Sequence, residues 1–162
     1  MKVKNKPTYI FNRIEDIPFD LLEKNKIKGL FLDIDNTLMD FSKRMLPSVA
    51  RWIKEAKKRG FTICLVSNTL SVNKVKTIMQ DFDIYGLANA KKPTLKGFQM
   101  ALNIVDLKKE QVIMIGDQML TDILGANRFG IKSIYVRPIS NKEWIGTMIK
   151  RPLDNLLLKI AK

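Results

Sequence analysis

At 162 residues with 46% apolar side chains, the chain has material for one domain with a sizeable core, and no apolar run approaches the ~20 residues that cross a bilayer. Its 29 Lys and Arg against 16 Asp and Glu give a net charge of +13, a field that draws nucleic acid, anionic lipid surfaces or phosphorylated substrates. Histidine is absent, which excludes Ser-His-Asp and Cys-His machinery and histidine-based metal sites, so any catalysis falls to carboxylates, hydroxyls and lysines.

In chain order, the basic stretch Met1–Lys6 is followed by no apolar h-region, which predicts no signal peptide and cytoplasmic residence. A buried strand is expected at 29–33, where Gly29-Leu-Phe-Leu32 runs into Asp33-Ile-Asp35-Asn-Thr37. Two carboxylates at a strand's carboxyl end stand where open α/β sheets bind ligands. The same residues also suit a plain Asx-rich turn. Val49, Trp52, Ile53 and Ala56 recur at helical spacing, with Arg51, Lys54, Lys57 and Lys58 on the opposite face and Gly60 as the stop. The next strand, 61–66, carries the single cysteine, Cys64, as a buried small hydrophobe. It ends in Ser67-Asn68-Thr69, which either caps the following helix or binds phosphate there.

That helix is expected from about Ser71, with Val72, Val75, Met79 and Phe82 facing inward, and a weaker strand lies near 84–88. Lys91-Lys92-Pro93 precedes a helix carrying Phe98, Ala101 and Leu102. Its lysine either pairs with a phosphate oxygen or is an ordinary surface residue. A strand at 111–116 leads into Gly116-Asp117-Gln-Met-Leu-Thr121-Asp122. Two acids five apart at that position suit a divalent metal, or simply a turn followed by an acid in a helix's first turn. A helix from about Thr121 to Gly130 and a strand at 131–136 complete the alternation, which is the pattern of βα units around a parallel sheet.

The last stretch, 141–162, sets Trp144, Ile145, Met148, Ile149, Leu153, Leu156, Leu157 and Ile160 at helical spacing among lysines and arginines. Pro152 divides it into two short pieces. The stripe either lies on a membrane as an interfacial helix or packs on the domain's own sheet, and the second is preferred. With no repeat, low-complexity tract or linker, residues 1–162 read as one domain with a core at about 29–136.

Taken together and in this order, the four strand-end motifs resemble those of the haloacid dehalogenase (HAD) superfamily of phosphotransferases. Asp33-x-Asp35-x-Thr37 is similar to its first motif, Ser67 to its second, Lys92 to its third and Gly116-Asp117-x₄-Asp122 to its fourth. The resemblance implies a Rossmann-like three-layer α/β sandwich with a central, mostly parallel sheet. It also implies Mg²⁺-dependent phosphomonoester hydrolysis through an aspartyl-phosphate. In that scheme Asp33 is the nucleophile and Asp35 the acid and base. Mg²⁺ is held by Asp33, the backbone carbonyl of Asp35, and Asp117, with Asp122 orienting from outside and Thr37 shaping the loop. Ser67, Asn68 and Lys92 bind the substrate phosphate.

Many such enzymes insert a cap domain after the first or second motif. Here 34 residues separate Asp33 from Ser67 and 25 separate Ser67 from Lys92, each about enough for one helix and one strand. No cap is therefore expected, and an open site suits a large substrate: a lipid head group, a nucleic-acid end or a protein. Asp33-Ile-Asp-Asn-Thr-Leu38, Val66-Ser-Asn-Thr69, Ala90-Lys-Lys-Pro93, and Ile115–Ile123 followed by Gly125-Ala-Asn-Arg128 are similar to the YqeG-like members of subfamily IIIA. The chain departs from them at Thr69-Leu70-Ser71, where a more polar run is usual. That subfamily is linked to phosphatidylglycerophosphate phosphatase activity. The resemblance thus points to an anionic lipid substrate, phospholipid biosynthesis and peripheral contact with the inner face of the membrane. Two alternatives stand beside it: a phosphatase for nucleic-acid ends or soluble phosphometabolites, and a non-catalytic basic protein docking on RNA or membranes.

Overall fold

The computed structural model describes residues 5–140 together with Pro152, Asp154, Asn155, Leu156 and Lys159. Its organising fact is the strict alternation of apolar side chains along the central strands. Leu30, Leu32, Ile63, Leu65, Ile113 and Ile115 enter one core layer. Phe31, Cys64, Val66, Val112 and Met114 enter the other. Strands buried on both faces read as continuous apolar runs, which is why they were visible in the sequence.

The strands are β1 (Tyr9–Phe11), β2 (Gly29–Leu32), β3 (Thr62–Val66), β4 (Tyr85–Leu87), β5 (Val112–Gly116) and β6 (Lys132–Val136). They form one sheet in the order β1-β6-β5-β2-β3-β4. Every pairing is parallel. Between them lie α1 (Phe19–Lys24), α2 (Pro47–Lys58), α3 (Val72–Phe82), α4 (Leu95–Val105) and α5 (Leu124–Phe129), the last preceded by a π-helical turn at Met119–Ile123. Residues from α1, α2 and α3 fill the first core layer. Residues from α4 and α5 fill the second. The result is the three-layer α/β sandwich expected from the sequence.

The chain runs outward from β2 through β3 to β4, then crosses back to β5 on the other side of β2. The order therefore reverses between β2 and β5, and a crevice opens at their carboxyl ends. Asp33 follows one of these strands and Asp117 the other. The β2–β3 connection holds α2 and the β3–β4 connection holds α3. Neither contains a cap domain. The loop after β2 folds on itself instead, through bridges of Met39 to Asp35 and to Met45.

Two details differ from expectation. β1 and α1 have no counterpart in the sequence reading. Phe19 of α1 stacks on Trp52 at 5.2 Å between ring centroids. The Trp52 Nε1–H donates to the Ile17 carbonyl at 3.2 Å, which anchors this segment over α2. In α3, Val72 is 52% exposed rather than inward. Val75 and Ile78 make the buried face, with Met79 and Phe82 partly buried against it. Val72 opens the first turn of α3, beside the capping Ser71. The amphipathic stretch at 141–162 falls largely outside the described residues. Within it, Asp154 is buried and accepts the Leu120 N–H at 2.9 Å, at the start of the π-helical turn. Among the described residues no helix is long and apolar enough to cross a membrane.

Candidate active site

Asp33 is fixed by the ladder that ends just before it. Its N–H donates to the Ile115 carbonyl at 3.0 Å, which ties it to β5 one residue beyond β2. Its Oδ1 accepts from Lys92 Nζ at 2.7 Å. The same ammonium stands 2.7 Å from Asp122 Oδ1. All three side chains are buried. Asp122 is aimed by a second bond, since the Gln118 N–H donates to its Oδ2 at 3.0 Å. This arrangement needs glycine at 116: a Cβ there would lie 2.2 Å from Asp122 Oδ2. Asp117, fully buried, accepts from Thr37 Oγ1 at 3.3 Å, so the loop after β2 and the loop after β5 are joined across the crevice.

Asp33, Asp117 and Asp122 each present a carboxylate oxygen within 4.8 Å of the others. Three buried carboxylates and one ammonium, which pairs with two of them, leave an excess of about two negative charges when all are ionised. Buried charge of that size needs a counter-charge. Hard oxygen donors with a doubly negative balance fit a divalent cation such as Mg²⁺. Without one, the cost appears in the titration of Asp33. Burial is the largest influence and pushes its carboxyl up to about 7; Lys92 pulls it down, while Asp122 and Asp35 add to the rise. For Lys92, burial favours the neutral amine, but the charges of Asp122 and Asp33 outweigh it and hold the ammonium above its usual range.

Ser67 is stitched in on all sides. Its N–H donates to the Leu87 carbonyl at 3.1 Å, its carbonyl accepts from Ala90, and its Oγ accepts the Thr69 N–H at 3.1 Å. The helix cap is not among Ser67-Asn68-Thr69; Ser71 provides it, accepting the Lys74 N–H. Asn68 grips the Lys92 backbone at both ends of its amide, donating to the carbonyl at 2.9 Å and accepting the N–H at 2.7 Å. It is thus the clamp that holds Lys92 in position, and the Lys92–Pro93 peptide it grips is cis.

The eight residues singled out in the sequence do converge on this crevice, with two distinctions. The Asp122 carboxylate, read as an outer group, lies within 4.8 Å of those of Asp33 and Asp117, although Lys92 and Gln118 engage both its oxygens. The Asp35 side chain is outside the buried group: half-exposed, it pairs with Lys74 Nζ from the first turn of α3. Lys74 was not anticipated. It sits 39 residues from Asp35, and no local pattern links them. Asn36, in the left-handed region at φ +62°, also escaped notice. Its carbonyl accepts the Ile139 N–H and its Oδ1 accepts from Ser140 Oγ, tying the Asp33 loop to the segment after β6. Chemically, the crevice offers a buried carboxylate beside a cation, a second carboxylate at the mouth, and a place for a divalent ion.

Comparison with known proteins agrees with this geometry. A family profile described as HAD-hydrolase-like matches residues 89–146. A Bacillus subtilis protein named "Probable phosphatase YqeG" is 34% identical over 155 residues, covering 95% of this chain and 89% of that one. A glyceraldehyde 3-phosphate phosphatase of Pyrococcus furiosus is 28% identical over 58% of this chain and 42% of its own. A phosphatidylglycerophosphate phosphatase of Arabidopsis thaliana is 28% identical over 88% of this chain and 44% of its own. This chain therefore spans less than half the length of those last two. Among solved structures, the HAD-hydrolase YfnB of Bacillus subtilis, bound to magnesium, superposes with a TM-score of 0.55 at 12% identity, over 74% of this chain and 91% of that one. That similarity concerns the fold alone.

Proposed function

The chain belongs to the HAD-like phosphatases, and on that premise we propose that it hydrolyses a phosphomonoester through an aspartyl-phosphate on Asp33, with residues 1–162 acting as one phosphatase domain. The observation that carries this reading is the buried group in which the carboxylates of Asp33, Asp117 and Asp122 gather, with the Lys92 ammonium paired to Asp33 and Asp122. An Asp33 oxygen attacks phosphorus, and the bond from phosphorus to the leaving oxygen breaks. Asp35 gives that oxygen its proton. Asp35 then takes a proton from water, whose oxygen attacks the same phosphorus; inorganic phosphate leaves and Asp33 is regenerated. For the first transfer Asp35 gives up its ion pair with Lys74 and takes a proton from solvent, and it recovers that proton from the attacking water.

Ser67, Asn68 and Lys92 hold the phosphoryl oxygens, where electrostatics and positioning dominate the rate. Asn68 does so mainly by fixing Lys92. Asp33, the backbone carbonyl of Asp35, and Asp117 would hold Mg²⁺, which neutralises charge on the transferring group. Asp122 orients Lys92 and the loop around Gly116, and Thr37 holds Asp117.

As substrate we infer phosphatidylglycerophosphate, dephosphorylated to phosphatidylglycerol at the inner face of the membrane by a cytoplasmic, peripherally attached enzyme. The uncapped crevice, the net charge of +13 and the similarity to the Arabidopsis enzyme support this reading. A soluble phosphometabolite is the second reading, favoured by the similarity to the Pyrococcus enzyme. Hydrolysis of a generic phosphomonoester, with and without Mg²⁺, by wild type and Asp33→Asn tests the chemistry. A panel including phosphatidylglycerophosphate, glyceraldehyde 3-phosphate and a 5′-phosphorylated oligonucleotide tests the substrate. Activity retained in Asp33→Asn near the wild-type level sinks the mechanism; a panel on which the lipid is among the poorest substrates sinks the lipid assignment.

A further inference from the structure

The loops that build the crevice end in side chains that the crevice does not use. Leu70, in the loop after β3, is 79% exposed. Phe41, in the loop after β2, is 46% exposed, and Leu95, at the first turn of α4, is 44% exposed. Val72, noted above, opens α3. All four lie beyond the carboxyl ends of β2, β3 and β4, the edge of the sheet where Asp33, Ser67 and Lys92 stand. The rim is also joined into one unit, since the Asn89 N–H donates to the Thr69 carbonyl at 2.9 Å and so links the Leu70 loop to the Leu95 loop. Exposed apolar groups gathered around a functional opening mark an interaction surface.

The exposed charges at this edge are mostly positive. Lys43 and Arg44 in the loop after β2, Lys91 in the loop after β4, Lys96 in the first turn of α4 and Arg137 just after β6 are exposed. The acids beside them, the half-exposed Asp35 and the largely covered Asp40, are paired with Lys74 and Arg44. We propose that this rim is a docking surface for an anionic lipid bilayer, into which Leu70, Phe41, Val72 and Leu95 dip while the surrounding cations meet lipid phosphates. The crevice then opens directly onto the head groups.

Charge complementarity selects this occupant over a second copy of the chain, whose rim would carry the same positive charge. The aliphatic character of three of the four apolar residues selects it over nucleic acid, which offers bases to aromatic platforms and little to leucine. Paired apolar and cationic groups are what binding at an anionic interface requires. The surface differs from the stretch at 141–162 considered in the sequence. Its functional consequence rests on the proposed reading of Asp33, but the docking itself does not.

Sedimentation of the full chain with vesicles tests it. Binding is expected to phosphatidylcholine–phosphatidylglycerol vesicles and not to pure phosphatidylcholine. The double variant Phe41→Ser/Leu70→Ser, and separately Lys43→Glu/Lys91→Glu, are each expected to weaken that binding by about tenfold or more. Both variants are at the surface, and their melting temperatures and hydrolysis of a soluble phosphomonoester are expected to match wild type. Wild-type failure to bind anionic vesicles, or variants that bind as wild type does, overturns the proposal. So does binding only to RNA that persists in the serine variant. Vesicle binding that responds to these variants in a protein without phosphatase activity would leave the docking surface standing and remove the catalytic reading.

Discussion

Burying the Asp33 carboxylate costs stability, and Asp33→Asn separates that cost from the proposed reaction. Burial sets the Asp33 carboxyl at about 7 in the folded protein against 3.8 for an ordinary aspartate. Because its folded pKa is raised, the folded state binds the extra proton, and stability falls as pH rises between these two values. From pH 5 to pH 8 the titration crosses about two pH units before the folded pKa is reached, at about 1.4 kcal/mol each, so wild type loses up to about 3 kcal/mol from this group. Asparagine keeps the shape and has no such titration. Groups remote from the crevice titrate alike in both proteins and cancel in the comparison. Expressed as melting temperature in EDTA, the variant is expected to gain on wild type by about 6–12 °C between pH 5 and pH 8. Its phosphatase activity should be abolished in the same preparation. Differential scanning calorimetry across that range is the assay. Parallel pH curves for the two proteins would refute the argument that burial governs Asp33.

Other consequences follow from the same geometry. Lys92→Met leaves Asp33 and Asp122 buried without their shared ammonium, and in EDTA at pH 8 chemical denaturation should show a loss of about 3–5 kcal/mol. Gly116→Ala drives a methyl group into the Asp122 carboxylate, so calorimetric titration should find Mg²⁺ affinity reduced by about tenfold or more, with the overall fold retained by circular dichroism. Cys64 is buried, and burial pushes its thiol up to about 12, so a thiol reagent should label it at neutral pH only after denaturant unfolds the chain.

The central sheet was legible because β2, β3, β5 and β6 are covered on both faces, which forces near-continuous apolar runs. Their functional ends were legible for a related reason, since carboxylates and hydroxyls directly after such runs fall at the carboxyl edge whatever the loops do. β1 escaped because three residues at the sheet's edge, one of them exposed, carry no such run. α1 escaped because six residues with a single fully buried side chain, Leu22, are too short for helical periodicity to register. Val72 was misassigned because periodicity identifies a helix face but not whether its first turn is covered. Pairings across elements were beyond sequence altogether. Nothing local couples Lys74 to Asp35, Asn68 to the Lys92 backbone, or Leu120 to Asp154, because each depends on loops converging from separate strands.

The most direct test of the account is to trap the phosphorylated enzyme. Wild-type protein turning over a phosphomonoester with Mg²⁺ is quenched, reduced with borohydride to convert any acyl phosphate to an alcohol, digested and sequenced by mass spectrometry. The account predicts reduction at residue 33 alone, dependent on substrate and absent from Asp33→Asn. Turnover with an unmodified Asp33, or reduction at Asp35 or Asp117 instead, would contradict it.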